Sequence, residues 1–564
     1  MNTRKTSTRY NWLILLAGLV VLNILGSKLH FRVDLTQEKR FSLSGPTRRI
    51  LKNLDTPVFV EVYLKGEFPA VFHNLQNATS DLLREMQDEA DGKLSFRFIK
   101  PGEGLPDSLQ AKVYDSLASM GLKPYTLTVS AKPGEESSQR TIFPAAVVHY
   151  GEQAMPVDLS SDKGEDAESK INNAESLLEF KFASAIHMMS RKRVPHVAYL
   201  LGNGEPMDLT SYDAITTLAR NYIVDTLTLY RVPYIPDSYS ALVIAKPLQA
   251  FTEPDKLKID QFVMHGGSVI WFIDNLYAEL DSLRQVNQFV AFDRGLNLGD
   301  QLFHYGVRIN VDLVQDMHCD QMPLAVGTVG GKPQMQLVPW PYFPLLEPTD
   351  NHPISRNLDP VLGQFVNSID TVKAAGIQKT ILLTSSDYAR ILSTPAIVSW
   401  DNVKVTDPAQ YTRKYITAGV LLEGRFHSFY ENRLPSAFRD ALQAAGQPFV
   451  PEGVGPAKMI VVSDGDIILN AVSQQNGPLP MGTNPYTQDE YANKDFFLNC
   501  MQYLTDSSGV LETRDKQLVL RNLDRQKVDE ERVQWQVINI VVPLLIVLLA
   551  GVVYQQVRKQ IYQR

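Results

Sequence analysis

The feature that most limits what this chain can fold into is an apolar run near its end. Residues 537–554 read VINIVVPLLIVLLAGVVY, with no charge and one strongly polar side chain, Asn539. At about 1.5 Å per helical residue the run just crosses a hydrocarbon core of about 30 Å. Trp535 and Tyr554 flank it, where interfacial aromatics belong. Pro543 lies inside, which a spanning helix tolerates when the freed carbonyl finds another partner. A shorter run, residues 12–25, follows a tail with Arg4, Lys5 and Arg9. Gly26, Ser27 and Lys28 make no A-x-A-like cleavage site, so it reads as an uncleaved anchor rather than a secretion signal.

Two spans with short basic tails (Arg558, Lys559 and Arg564 close the chain) place both termini in the cytoplasm and the rest outside. Lys28, Arg32, Arg525, Lys527 and Arg532 blur this charge rule, but long domains translocate largely regardless of such charges. The expectation is an inner-membrane protein with a periplasmic bulk, divided as follows. A cytoplasmic tail (1–9) and transmembrane helix (10–28) lead to a membrane-proximal α/β domain (29–159). A linker and helix (160–194) lead to a Rossmann-like domain (195–510) with an irregular insertion at about 322–447. A juxtamembrane strand and helix (511–534), a second transmembrane helix (535–555) and a cytoplasmic tail (556–564) complete the chain.

Between the anchors the pattern is α/β. Ser44 before Gly45-Pro46 is helix-start chemistry for a run to Leu54. Strands are predicted at 58–64 and 93–99, with helices at 75–90 and 108–120. A strand pair, 125–131 and 140–150, flanks Pro133-Gly134. The order fits a thioredoxin-like fold, but the region has no cysteine, so thiol redox chemistry is excluded there. Charged residues 160–173 read as a mobile link, and 174–191 as a helix closed by Arg191-Lys192-Arg193, where cations suit the helix end. From Pro195 onward, strands at 196–201, 224–230, 241–245 and 268–274 alternate with helices at 212–222 and 253–265, the mark of a parallel sheet. Later strands are predicted at 381–384, 415–423 and 459–463. A last strand is predicted at 516–520, and a polar helix at 522–536 runs into the second span.

Composition narrows the function. The net charge of −7 argues against nucleic acid as a partner, which needs clustered basic residues. Two cysteines, Cys319 and Cys500, exclude a disulfide framework and leave a single bridge open. Gly330-Gly331-Lys332-Pro333 lacks Walker spacing and hydroxyl, and Gly202-Asn203-Gly204 lacks the third glycine of a dinucleotide turn. Neither cysteine, and no serine, sits in the glycine context of a nucleophile elbow. Met317, His318, Cys319, Asp320 and Met322 offer soft ligands but match no closed zinc spacing. No catalytic, cofactor-binding or metal-binding residue is therefore assigned. Trp340, Tyr342 and Phe343, held between prolines, are candidates for a ligand or partner surface; the alternative is a loop packing its rings onto the core. Arg525, Lys527, Arg532 and Trp535 are candidates for juxtamembrane coupling.

Longer stretches carry a resemblance. They include Asp34-Leu-Thr with Phe41-Ser-Leu-Ser, Val62-Tyr-Leu-Lys-Gly-Glu-Phe-Pro, Leu296-Asn-Leu-Gly-Asp-Gln-Leu-Phe and Tyr305-Gly-Val-Arg-Ile-Asn. Pro339-Trp-Pro-Tyr-Phe-Pro-Leu-Leu and Asn493-Lys-Asp-Phe-Phe-Leu-Asn-Cys continue the series. Together they resemble the GldG family, gliding-motility-associated ABC transporter components of Bacteroidetes. The resemblance implies a two-span membrane protein with a central Rossmann-like domain related to domains of intraflagellar transport proteins; with the thioredoxin-like order of the first domain, the expected α/β protein has a small thioredoxin-like domain, then a larger Rossmann-like domain, in the periplasm. It implies a GldF-like multi-span permease, a GldA-like ATPase and the lipid bilayer as partners, with ATP on a partner subunit and no cofactor here. It carries no catalytic residues over. An envelope scaffold binding glycan or peptide, and an anchored envelope enzyme, are the alternatives.

Overall fold

The computed structural model describes residues 16–20, 42–515 and 525–562, apart from 67, 123, 130–137, 162–166, 330–331, 401–406 and 476. The expected first span at 10–28 lies outside the described residues except for 16–20, which are helical. The strand expected at 516–520 also lies outside them. Two compact units result, Met1–Lys516 and Gln517–Arg564.

In the first unit, α1 (Gly45–Lys52) is capped as its sequence predicts: Ser44 Oγ accepts from the Thr47 N–H at 3.3 Å, with Pro46 in the first turn. There follow β1 (Val58–Val62), α2 (Ala70–Glu89), β2 (Leu94–Phe98), α3 (Asp107–Ser119), β3 (Tyr125–Val129), β4 (Ser138–Ile142), β5 (Ala145–Tyr150) and β6 (Gln153–Asp158). The sheet order is β2-β1-β5-β6, with β1 parallel to β2 and the other pairs antiparallel. The single strand read over 140–150 is in fact two. Pro144 has no N–H to give a ladder, so β4 pairs with β3 in a separate two-stranded sheet while β5 joins the larger one. The turn expected at Pro133-Gly134 lies outside the described residues. Strand β6 escaped the sequence reading because Pro156 argues against a strand; the sheet accommodates it by placing β6 at the edge.

The charged stretch read as a link is not wholly one. Its described residues include part of α4 (Ala167–Ala174), whose Ile171 and Ala174 are buried. Helix α5 (Leu178–Ser190) then puts Phe182, Ala183 and Ile186 into the core that Val58, Val60, Leu75 and Leu83 build.

The second domain holds β7 (His196–Leu201), α6 (Tyr212–Ala219), β8 (Ile223–Thr228), β9 (Tyr239–Ala245), α7 (Glu253–Met264) and β10 (Ser268–Phe272). After them come β11 (Cys319–Val329), β12 (Lys332–Pro348), β13 (Ile377–Thr384), β14 (Thr417–Gly424), β15 (Ala457–Val462) and α8 (Asn493–Thr505). They form one sheet in the order β11-β12-β13-β14-β15-β10-β9-β7-β8. The five strands from β15 to β8 are parallel, while β14, β13, β12 and β11 pair antiparallel in turn. Residue parity divides the parallel part. Val197, Val243, Ile270 and Ile460 face α6 and α8, whereas Ala198, Leu242, Val269 and Met459 face α7. Both faces are thus covered, which is why these strands read as continuous apolar runs. The region expected to be irregular, 322–447, instead carries β12, β13, β14 and shorter strands. Its prolines obscured the strand signal: β12 contains Pro333, Pro339, Pro341, Pro344 and Pro348.

The second unit is one helix, α9 (Arg525–Tyr562), with Pro543 inside it. Residues 534–560 are long and apolar enough to cross a membrane, and none of that stretch is buried within the protein.

Candidate functional site

In open parallel sheets the carboxyl ends of the strands are where chemistry collects, because loops there are free to diverge while the strands hold them rigid. Three adjacent strands of this sheet end in charge. Lys246 follows β9, Asp274 follows β10, and Asp464 and Asp466 follow β15. All lie in or against the core, with Lys246, Asp274 and Asp464 buried.

Lys246 Nζ is 2.7 Å from Asp466 Oδ1, 3.1 Å from Glu279 Oε2 and 3.1 Å from Asp274 Oδ2. The Asp274 contact is an ion pair without hydrogen-bond geometry. Arg294 Nη2 donates to Glu279 Oε1 at 2.6 Å. Asp464 accepts from the Gln364 N–H at 2.6 Å and the Asp466 N–H at 2.8 Å. Burial alone would lower the lysine pKa, but Asp274, Asp466 and Glu279 raise it well above its ordinary value. Burial pushes Asp466 up to about 7, against the pull of Lys246 and with Asp274 and Glu279 adding to it. Burial, with Asp274 and Asp466, also drives Asp464 well above the carboxylate range.

Oxygens of Asp274, Asp464 and Asp466 lie within 4.8 Å of one another, close enough to hold a metal ion. The Lys246 ammonium, however, already occupies this place, paired with Asp274 and Asp466. A cation would have to expel a buried lysine, so the arrangement fits an internal charge lock joining three strand ends better than a metal centre. The sequence reading missed this cluster because its members are spread from residue 246 to 466 and share no motif.

The neighbouring crevice between β7 and β9, where the strand order reverses, is the usual nucleotide position. Gly202 and Gly204 have φ of +123° and +86°, as a tight turn after a strand requires. A Cβ on Gly204 would meet Leu248 Cβ at 2.9 Å. The glycine therefore admits the protein's own 246–250 segment, not a pyrophosphate. Leu248 and Gln249 N–H groups both donate to the Asn203 carbonyl at 2.8 Å. The next helix along the chain begins only at Tyr212, so the turn does not run directly into a helix amino terminus. Glu205, buried in this turn, accepts from the Asn203 N–H through Oε2 at 2.7 Å, while Oε1 has no hydrogen-bond partner. Burial outweighs backbone hydrogen bonds and raises it to about 7.

Trp340, Tyr342 and Phe343 are 0%, 2% and 3% exposed and pack with Phe365 and Trp400. They do not form a surface, because β12 buries this stretch against the strands around it and turns the rings inward. His318 Nδ1 lies 3.7 Å from Glu347. Burial and the carboxylates of Asp316 and Asp320 push the Cys319 thiol up to about 12, which leaves it protonated and a poor nucleophile. Cys319 and Cys500 are both free thiols. Arg525, Lys527, Arg532 and Trp535 lie on one helix, α9, and Trp535 Nε1 donates to Glu531 at 3.0 Å.

Residues 194–500, more than half of the chain, match the family described as ABC-type uncharacterized transport system, and the chain belongs to that family of auxiliary components. Residues 37–149 match a domain of unknown function, DUF7088. No curated protein matches. Among solved structures, the mmIFT52 N-terminal domain is similar over 55% of this chain and 97% of its own, at 12% identity and a TM-score of 0.30. That score is too low to bear on fold or function. Membership fits a non-enzymatic accessory protein and implies other ABC transporter components as partners. With the apolar stretch of α9 it places the protein in association with a membrane.

Proposed function

We propose that the chain is a non-catalytic, membrane-anchored subunit of an ABC-type transporter of the GldG kind, linked to gliding motility. Both termini lie in the cytoplasm, two spans cross the inner membrane, and the large unit stands in the periplasm. A GldF-like permease and a GldA-like ATPase are its partners, and ATP binds to the ATPase. The observation that carries this reading is α9, a single helix joining a charged juxtamembrane stretch to an apolar stretch in a chain of this family. Movement of the span in response to a partner's ATP cycle would pass outward through Arg525, Lys527, Arg532 and Trp535.

The strand order β2-β1-β5-β6 supports a thioredoxin-like reading of the first domain, and β8-β7-β9-β10-β15 a Rossmann-like reading of the second. Gly204 and Leu248 support a Rossmann-like frame without a nucleotide. Purifying the intact chain in mild detergent and identifying what accompanies it by mass spectrometry tests the assignment. Stoichiometric permease and ATPase are expected; a chain that emerges alone overturns it.

A further inference from the structure

Helix α1 and the segment after α8 meet at one place. Arg49 Nη2 donates to the Ser508 carbonyl at 3.1 Å, and Val510 shares a core with Ile50 and Leu51. Beside this junction lies a cleft of about 630 Å³ between α1, the start of β2 and the end of α5. Its cationic lining is Arg49, Lys52, Lys93, Arg191 and Lys192, against one carboxylate, Asp55.

Basic residues at helix ends need no ligand to explain them, so the balance of charge decides. Around the cleft, Arg48 joins the five cations, and Glu89 and Asp506 join Asp55. The carboxyl ends of α1 and α5 add roughly half a negative charge each. About two positive charges remain in surplus with His187 neutral. The lining cations are committed to different degrees, Lys192 least of all. Lys192 is only 3.9 Å from Asp55, with both side chains largely exposed, and such a pair contributes little. Lys52 pairs with Glu89 at 3.0 Å, and Lys93 donates to the Leu54 carbonyl at 2.8 Å. Arg191 lines the cleft; its guanidinium hydrogen-bonds the Tyr222 hydroxyl, while Nη2 is buried and has no hydrogen-bond partner. A buried guanidinium N–H left unpaired costs energy unless an acceptor arrives.

We propose that this cleft binds a phosphate-bearing anion, held by Arg191, Lys52 and Lys192. A phosphate presents several strong acceptor oxygens and up to two negative charges, which answers the charge surplus. The group belongs either to an anionic phospholipid headgroup or to free phosphate. The inference does not depend on the transporter reading above.

The test uses the full chain in neutral detergent micelles. Lysine acylation, read by mass spectrometry, is followed at Lys52, Lys93 and Lys192 against added inorganic phosphate. It is repeated with micelles carrying phosphatidylglycerol, and with phosphatidylcholine as the control. Slower acylation at these lysines with inorganic phosphate assigns the site to the free anion; slower acylation with phosphatidylglycerol only assigns it to a lipid headgroup. Lys52→Glu with Lys192→Glu should weaken either interaction by about tenfold or more, read from protection of Lys93. Lys192→Gln, at a highly exposed position, repeats the test with little risk to folding. No protection by either ligand, or equal affinity in wild type and variants, overturns the proposal.

Discussion

At the scale of single residues, the consequences of burial are sharpest at Lys246 and Glu205. Replacing Lys246 by Met removes the ammonium that Asp274 and Asp466 share, while Arg294 still pairs with Glu279. We expect a loss of about 3–5 kcal/mol at pH 8, the usual cost of breaking a buried pair on one side. Burial raises the Asp466 carboxyl to about 7, so it takes up its proton as pH falls and the deficit should shrink toward pH 5. A denaturation series that finds the same deficit at both pH values would count against the charge lock. Glu205 offers the cleaner titration. Its folded pKa, about 7, lies above the ordinary value of 4.5, so its contribution is complete below about pH 4.5 and is lost as pH rises through 7. Glu205→Gln removes the ionisation, and any cost of an amide beside backbone N–H groups is independent of pH. The variant should therefore gain on wild type between pH 4.5 and 8, by about 3 kcal/mol at most. A difference that is flat with pH would show that Glu205 does not titrate in the folded protein.

At the scale of elements, α9 and the Asp506 turn make different demands. His187 Nε2 lies 3.1 Å from Asp506 Oδ1, tying the end of α5 to the segment after α8. Burial raises the Asp506 carboxyl, but hydrogen bonds from His187 and Ser508 more than offset it and hold it at about 2. Its contribution is thus present above about pH 4 and fades only as pH falls toward 2. Helix α9 must be stiff if it transmits movement. Four glycines inserted between Lys527 and Arg532 break the helical ladder there, since each costs about 1 kcal/mol relative to alanine and the linker is flexible. The complex should still assemble and lose function. Full function with that insertion would remove transmission through α9, while leaving anchorage intact.

At the scale of the whole molecule, the number of anchors is testable with one truncation. A chain ending at Lys516 lacks α9. If residues 10–28 span the membrane, that chain stays in the pellet after alkaline carbonate extraction of membranes. Release into the supernatant would leave α9 as the anchor and remove the first span from the topology. The sequence by itself was enough for much of this organisation, and the reasons are local. The apolar stretch of α9, the Ser44 cap of α1 and the parallel strands β7, β9 and β10 announce themselves through length, capping chemistry and uninterrupted burial, which neighbouring residues encode. Three things needed the tertiary structure. The strands within 322–447 hid behind their prolines, because whether a missing N–H matters depends on what lies beside the strand. The rings of Trp340, Tyr342 and Phe343 could face either way until β12 found its neighbours. Lys246, Asp274, Glu279 and Asp466 become one site only when β9, β10 and β15 lie side by side, for charges separated by tens or hundreds of residues meet through the sheet and through nothing in their spacing.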